Sequence, residues 1–291
     1  MNLVHILLEP FEFEFMVRAI SATLLASILC AVLSCWLILT GWSLLGDAVS
    51  HAVLPGVVLS YALGLPFALG AAIFGLLAVA LIGGVKETTR IKEDASIGIV
   101  FTTLFALGLV LVSVTPSQVD LNHIIFGNLL GVSPSDLGQV AALAGVCLAV
   151  LIFKRRDLSL YAFDPGHARN IGLNPRILGA TLLGVLALTC VVALQAVGVV
   201  LVVGMLIIPG ATARLLTERM SRMLVVAPVL SSLCSLVGIY TSYFADTSTG
   251  GTVVLCQGVL FLIVYLLAPR NGQLARLLVA RGRRLGADRT G

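Results

Sequence analysis

Charge is what this sequence has least of. Only 11% of its 291 residues are Asp, Glu, Lys or Arg. That is less than half the share in an ordinary soluble domain, so a water-facing surface of normal extent cannot be built from it. No polar stretch is long enough for a sizeable soluble domain. The chain also lacks a Gly-rich G-x-x-x-x-G-K-[ST] loop, which excludes the usual means of cradling ATP phosphates. It has no H-E-x-x-H, which excludes the helix of a zinc metalloprotease. Carboxylates within apolar runs are scarce: Asp47 is the one clearly inside, with Asp136 and Asp246 at outer ends. A proton-coupled carrier would need several. No C-x-x-C pair occurs. The six cysteines (Cys30, Cys35, Cys147, Cys190, Cys234 and Cys256) all lie in apolar runs and read as packing residues. Residues 1–15 carry Glu9, Glu12 and Glu14 in place of a basic leader, so no cleavable signal is expected.

What the sequence has in abundance is apolar length. It is 59% hydrophobic, with mean hydropathy +1.08. Runs of about 18 or more apolar residues predict transmembrane helices, near 16–40, 47–65, 67–85, 96–115, 136–153, 177–195, 197–214, 223–242 and 250–268. The expected fold is an all-α polytopic membrane protein with about nine spans, or eight if the first hairpin is rearranged. It forms a single transmembrane domain over residues 1–291, with a short N-terminal segment (1–15) and a polar tail (270–291). Of the 18 Lys and Arg, all but Arg18 fall in connections that alternation of nine spans puts on one side. The excess of Lys and Arg on cytoplasmic loops makes that side the cytoplasm. The N-terminus is then outside and the C-terminus inside, and Arg18 snorkels near an outer end.

The stretch from Gly41 to Gly56 stands out within that apolar background. It places Asp47 and His51 in or at the edge of the bilayer, where ionisable groups are costly unless they face protein or a wet cavity. Their i, i+4 spacing puts both on one helix face. An oxygen and a nitrogen converging there suit Mn²⁺, Fe²⁺ or Zn²⁺; a buried Asp–His pair that satisfies itself and pins the helix fits the spacing equally. Pro55-Gly56 interrupts this span, and such breaks leave carbonyls available to a cation.

Other features take their meaning from position. Residues 116–135, flanked by prolines and apolar in the middle, predict a short re-entrant or interfacial segment on the outside. It carries His123, either a residue of the entrance or an interfacial histidine. Inside, the connection 153–176 holds Asp164-Pro165, a cap followed by proline at the first helical position, and Gly172, a stop. About two turns of polar helix are expected between them. Gln195 marks the break between two apolar runs, where it lines a pathway or satisfies turn backbone. Pro209-Gly210 is expected to interrupt the second of those runs.

Read together, Gly46-Asp-Ala-Val-Ser-His51-Ala-Val-Leu-Pro-Gly-Val, Lys92-Glu-Asp-Ala-Ser-Ile-Gly98-Ile, Phe126-Gly-Asn128, Phe163-Asp-Pro-Gly-His-Ala-Arg169-Asn-Ile-Gly-Leu and Gln195-Ala-Val-Gly198 with Pro209-Gly-Ala-Thr-Ala-Arg214 resemble the permease subunits of bacterial ABC importers for manganese, zinc and iron. Ser50-His51-Ala-Val-Leu-Pro55-Gly56 is similar to the manganese and iron branch. The resemblance covers nearly the whole chain. It implies a type II importer in the bacterial inner membrane, with a second permease copy or paralogue alongside. A cytoplasmic ATPase dimer supplies ATP hydrolysis, an extracytoplasmic protein delivers the metal, and nucleic acid has no part. It further implies that Asp47 and His51 belong to the ion path. Asp164, Pro165, His167, Ala168, Arg169, Asn170 and Gly172 would form the coupling helix, with Gly166 and His167 standing where an acidic or bulkier residue is expected. The divalent ion is cargo, and no permanent cofactor is implied. A cobalamin or siderophore permease of similar architecture and a proton-coupled metal carrier are the alternatives.

Overall fold

The computed structural model of the chain describes residues 9–115, 133–197 and 199–268. The segment bearing His123, Phe126 and Asn128 lies outside the described residues, as do Gly198 and the tail. Among the described residues the secondary structure is entirely helical. A short 3-10 turn, Glu9–Glu12, leads into α1 (Glu14–Thr40), α2 (Ser43–Ala52), α3 (Leu54–Leu63), α4 (Phe67–Thr88) and α5 (Glu93–Val114). There follow α6 (Pro134–Phe153), α7 (Arg155–Phe163), α8 (Pro165–Asn170), α9 (Pro175–Val197), α10 (Val199–Leu216), α11 (Met220–Ala245) and α12 (Thr249–Leu267).

Among the described residues, eight stretches are long and apolar enough to cross a membrane: α1, α2 with α3, α4, α5, α6, α9, α11 and α12. The element at the remaining expected span contributes a shorter apolar helix, Leu201–Leu216. The protein is thus a multi-pass helical membrane protein. α1 is its post, packed against α6, α9, α10 and α11, while α2–α3 packs on α4, α5, α9 and α10. In both α1 and α2–α3, 72% of the apolar window is buried within the chain, against 22–28% in α4, α5, α6 and α12. The span carrying the ionisable pair is therefore central.

Local chemistry explains the joints. α2 and α3 part at Val53 because Pro55 has no N–H to give to the carbonyl of His51, four residues back. α3 then crosses α4 at Gly56 and Gly70 so closely that a Cβ on either would collide with the other's backbone, and Gly70 N–H donates to Ser60 Oγ at 3.1 Å. By contrast α10 runs through Pro209 unbroken, so the interruption expected there is absent. One missing N–H is tolerated where a helix is packed by neighbours.

The two outer-end aspartates sit at helix ends. Asp136 closes a capping box at the start of α6: Ser133 N–H and Oγ–H donate to its Oδ2 at 3.2 and 2.6 Å, and Asp136 N–H donates to Ser133 Oγ at 3.1 Å. Asp246 ends α11 with φ of 49°. Arg18 donates to Glu14 at 3.0 Å, one turn away.

Candidate functional site

His51 Nε2 and Asp47 Oδ1 face each other at 3.3 Å on α2, with 21% and 43% of their side chains exposed. The helix beneath them is held from several sides. Ser50, fully buried, donates to the Asp47 carbonyl at 2.9 Å. The thiol of Cys190 on α9 points at the Gly46 carbonyl at 3.8 Å, and Gly46 leaves room for Leu206 of α10, whose Cδ1 would stand 3.1 Å from an added Cβ. α2 is thereby clamped along Gly46 and Ser50, and the polar pair projects about 100° round the helix from them. There the ring of His51 meets Phe101 and Phe105 of α5, with centroids 5.5 and 5.4 Å away. Its Nδ1 is buried and has no hydrogen-bond partner among the described residues.

This geometry suits a cation. Two donors about 2.1 Å from one ion stand about 3 Å apart at right angles and about 3.4 Å apart at the tetrahedral angle. The observed 3.3 Å matches such a bite before any rearrangement. Among the described residues no third His, Cys, Asp or Glu joins them, so two donors are what this face offers. The helix breaks at Val53, two residues past His51: Pro55 cannot supply the usual i+4 donor to the His51 carbonyl, which accepts from Val53 N–H instead.

The pair's depth follows from the inner end of the bundle. Trp42, just before α2, packs edge-on to Tyr161 of α7, centroids 6.3 Å apart, and Trp36 Nε1–H donates to Ser159 Oγ at 3.3 Å. The turn at 41–42 therefore lies at the same end as the connection 153–176, although it has no basic residue to announce it. Asp47 is about 6 Å and His51 about 12 Å along α2 from Ser43.

The connection 153–176 contains α7, not anticipated from sequence, followed by the expected short helix α8. Asp164 Oδ1 accepts from His167 N–H at 2.9 Å with Pro165 at the first position, and Gly172 leaves the helix at φ of 90°. Ala168 is fully buried and roots α8 in the bundle, whereas Asp164, Pro165, His167, Arg169, Asn170 and Gly172 are exposed. Phe163 and Ile171 flank the helix at 57% and 56% exposure. α8 is a projecting element that is apolar at both ends and basic between.

Gln195 lies five residues along α9 from Cys190, about 7 Å past it, and its Oε1 is buried with no partner among the described residues. Phe101 and Phe105 were not distinguished in the sequence, where they are two apolar residues in an apolar run.

Residues 12–268 match the ABC 3 transport family. The manganese transport system membrane protein MntB of Synechocystis sp. is 52% identical over 272 residues, covering 94% of this chain and 89% of that protein. A probable iron transport system membrane protein of Haemophilus influenzae is 51% identical over 257 residues, covering 88% and 95%. Among solved structures, PsaBC from Streptococcus pneumoniae in complex with Fab superposes with a TM-score of 0.87 at 34% identity, covering 96% of this chain and 100% of that one.

Proposed function

Because the chain belongs to the ABC 3 transport family, we propose that it is the permease subunit of an ATP-driven importer of divalent transition-metal ions in the bacterial inner membrane. Mn²⁺ is the favoured cargo, with Fe²⁺ and Zn²⁺ as alternatives, in keeping with relatives named for manganese and iron transport. The observation that carries this reading is the open Asp47–His51 pair at the spacing of an ion's bite. Asp47 supplies a hard oxygen and His51 a neutral imidazole nitrogen. Water, carbonyls or a second permease copy complete the shell. Partial coordination lets the ion enter and leave, as conduction requires. A proton-coupled carrier fits less well, since the Asp136 carboxylate is taken up in a capping box. A carrier of a large organic complex would have no use for the pair.

The end of the bundle bearing α7 and α8 is cytoplasmic, with Lys154, Arg155, Arg156, Arg169 and Arg176 all at that end. α8 is the contact through which an ATPase dimer drives the permease, while an extracytoplasmic metal-binding protein delivers the ion from the opposite side. In a strain stripped of its other importers, radiolabelled Mn²⁺ uptake should depend on this gene and be competed by Fe²⁺ and Zn²⁺. Uptake indifferent to the gene's removal would defeat the assignment. For the docking role, the triple change Asp164→Ala, Arg169→Glu and Ile171→Pro removes the cap, reverses the charge and blocks continuation of the helix. It should stop uptake in protein that still inserts; normal uptake would rule α8 out.

A further inference from the structure

We propose that Phe101 and Phe105 of α5 are positioning residues for the ion ligand His51, selecting which edge of its ring meets the cargo. The proposal rests on reading Asp47 and His51 as ion ligands. The two phenylalanines are one turn apart, with centroids 6.0 Å from each other. Phe105 meets the imidazole nearly edge-on at 81° and Phe101 is tilted at 54°. Rotation of a histidine ring about its last torsion is broad when nothing opposes it. Here two aromatic walls oppose it. Nδ1 is buried without a partner, while Nε2 is the nitrogen that looks toward Asp47. A ring turned over would bring Nδ1 to the opening, at a different distance from Asp47, and break the bite. The phenylalanines touch no ion; they act through the ring.

Their own placement is set one turn further along α5. Gly108 shares their face, at i+7 from Phe101 and i+3 from Phe105, and abuts Leu54, the first residue of α3. A Cβ at Gly108 would come within 2.9 Å of Leu54 Cδ2 and Cγ. The missing side chain lets α5 approach the broken helix closely enough for both rings to reach His51. α5 packs on α2 and on α3, so it bridges the break and holds the imidazole at the same time.

The test measures Mn²⁺ uptake at saturating metal in the native host, per copy of membrane-inserted permease. Four forms are compared with wild type: Phe101→Leu with Phe105→Leu, Phe101→Tyr with Phe105→Tyr, His51→Gln, and His51→Gln carrying the Leu pair. An aromatic contact of this kind is worth enough to change a rate by about threefold to tenfold. The Leu pair should lower uptake by that factor, and the Tyr pair, which keeps both rings, should restore it. In the His51→Gln background the Leu pair should add no further loss, because the residue it acts through is gone. Should the double Leu variant insert poorly, Phe105→Leu alone carries the same expectation with a smaller fall. An unchanged rate in the Leu variants, or an equal fold loss with and without His51, overturns the positioning role and leaves the ligand reading intact. If His51→Gln itself transports at the wild-type rate, the ligand reading is what fails.

Discussion

Two of the polar clusters among the described residues differ in nearly every physical respect. Between α1, α11 and α12, Ser27 and Ser231 hydroxyls are hydrogen-bonded at 2.7 Å, Ser235 donates to Ser27 at 2.9 Å, and Gln257 Nε2 donates to Ser231 at 2.9 Å. All four residues are at most 2% exposed. On α2, Asp47 and His51 contact each other once and are partly exposed, with the His51 ring against Phe101 and Phe105. The first cluster is neutral, sealed and spread over three helices. Its hydroxyls and the Gln257 amide nitrogen pair with each other, while Gln257 Oε1 has no partner among the described residues, and these bonds hold helices together where apolar packing gains nothing over lipid. The second holds a carboxylate and an imidazole on one helix, exposed and short of partners. Burial depth alone does not separate glue from chemistry in a membrane protein. Charge and partial exposure are what set the α2 pair apart.

The contrast is most sharply tested at Asp47. Asp47→Asn keeps the shape and removes the charge, and should abolish metal uptake with the thermal midpoint of the detergent-solubilised protein unchanged. If uptake survives, the pair is glue as well and the contrast disappears. His51→Gln should reduce uptake several-fold, and His51→Asp should shift competition toward harder, oxygen-seeking ions, read from Mn²⁺ uptake against rising Zn²⁺. Ser27→Ala should do the reverse of Asp47→Asn. It removes the hydroxyl shared by Ser231 and Ser235 and should lower stability by about 1–3 kcal/mol, seen as an earlier thermal transition, with uptake per inserted copy unaltered. The smallest effect is expected at Arg18→Gln, which breaks a one-turn surface ion pair worth at most about 1 kcal/mol; neither stability nor uptake should move measurably.

Several features were legible because their causes are local. Apolar length marks spans. Asp164-Pro165 and Gly172 bound α8 through contacts within one turn, and the structure places cap and stop at those residues. The Asp47–His51 contact follows from the helical period, and the break after His51 from the ring of Pro55. Where the causes are distant, the same reading stopped short. Asp136 read only as a carboxylate at the outer end of a span until its bonds to Ser133 were visible. Pro209 looked like a break and proved to be tolerated inside α10. α7 is a short amphipathic turn of chain that only its docking against α1 distinguishes from a loop.

By itself, then, the sequence determined the membrane-spanning class, the ends of α8 and the pairing of Asp47 with His51, since each depends on composition or on residues within a few positions. Only the tertiary structure decided that α2–α3 is central, that its polar face opens beside Phe101 and Phe105, and that Ser27 meets Ser231 across 204 positions. The reason is physical. A helix face turned to lipid and one turned to protein are equally apolar, so hydropathy records that a helix crosses the membrane and is silent on which side of it faces a neighbour. Close approaches such as Gly56 to Gly70 and Gly108 to Leu54 supply that rotation, and they exist only once the helices have met.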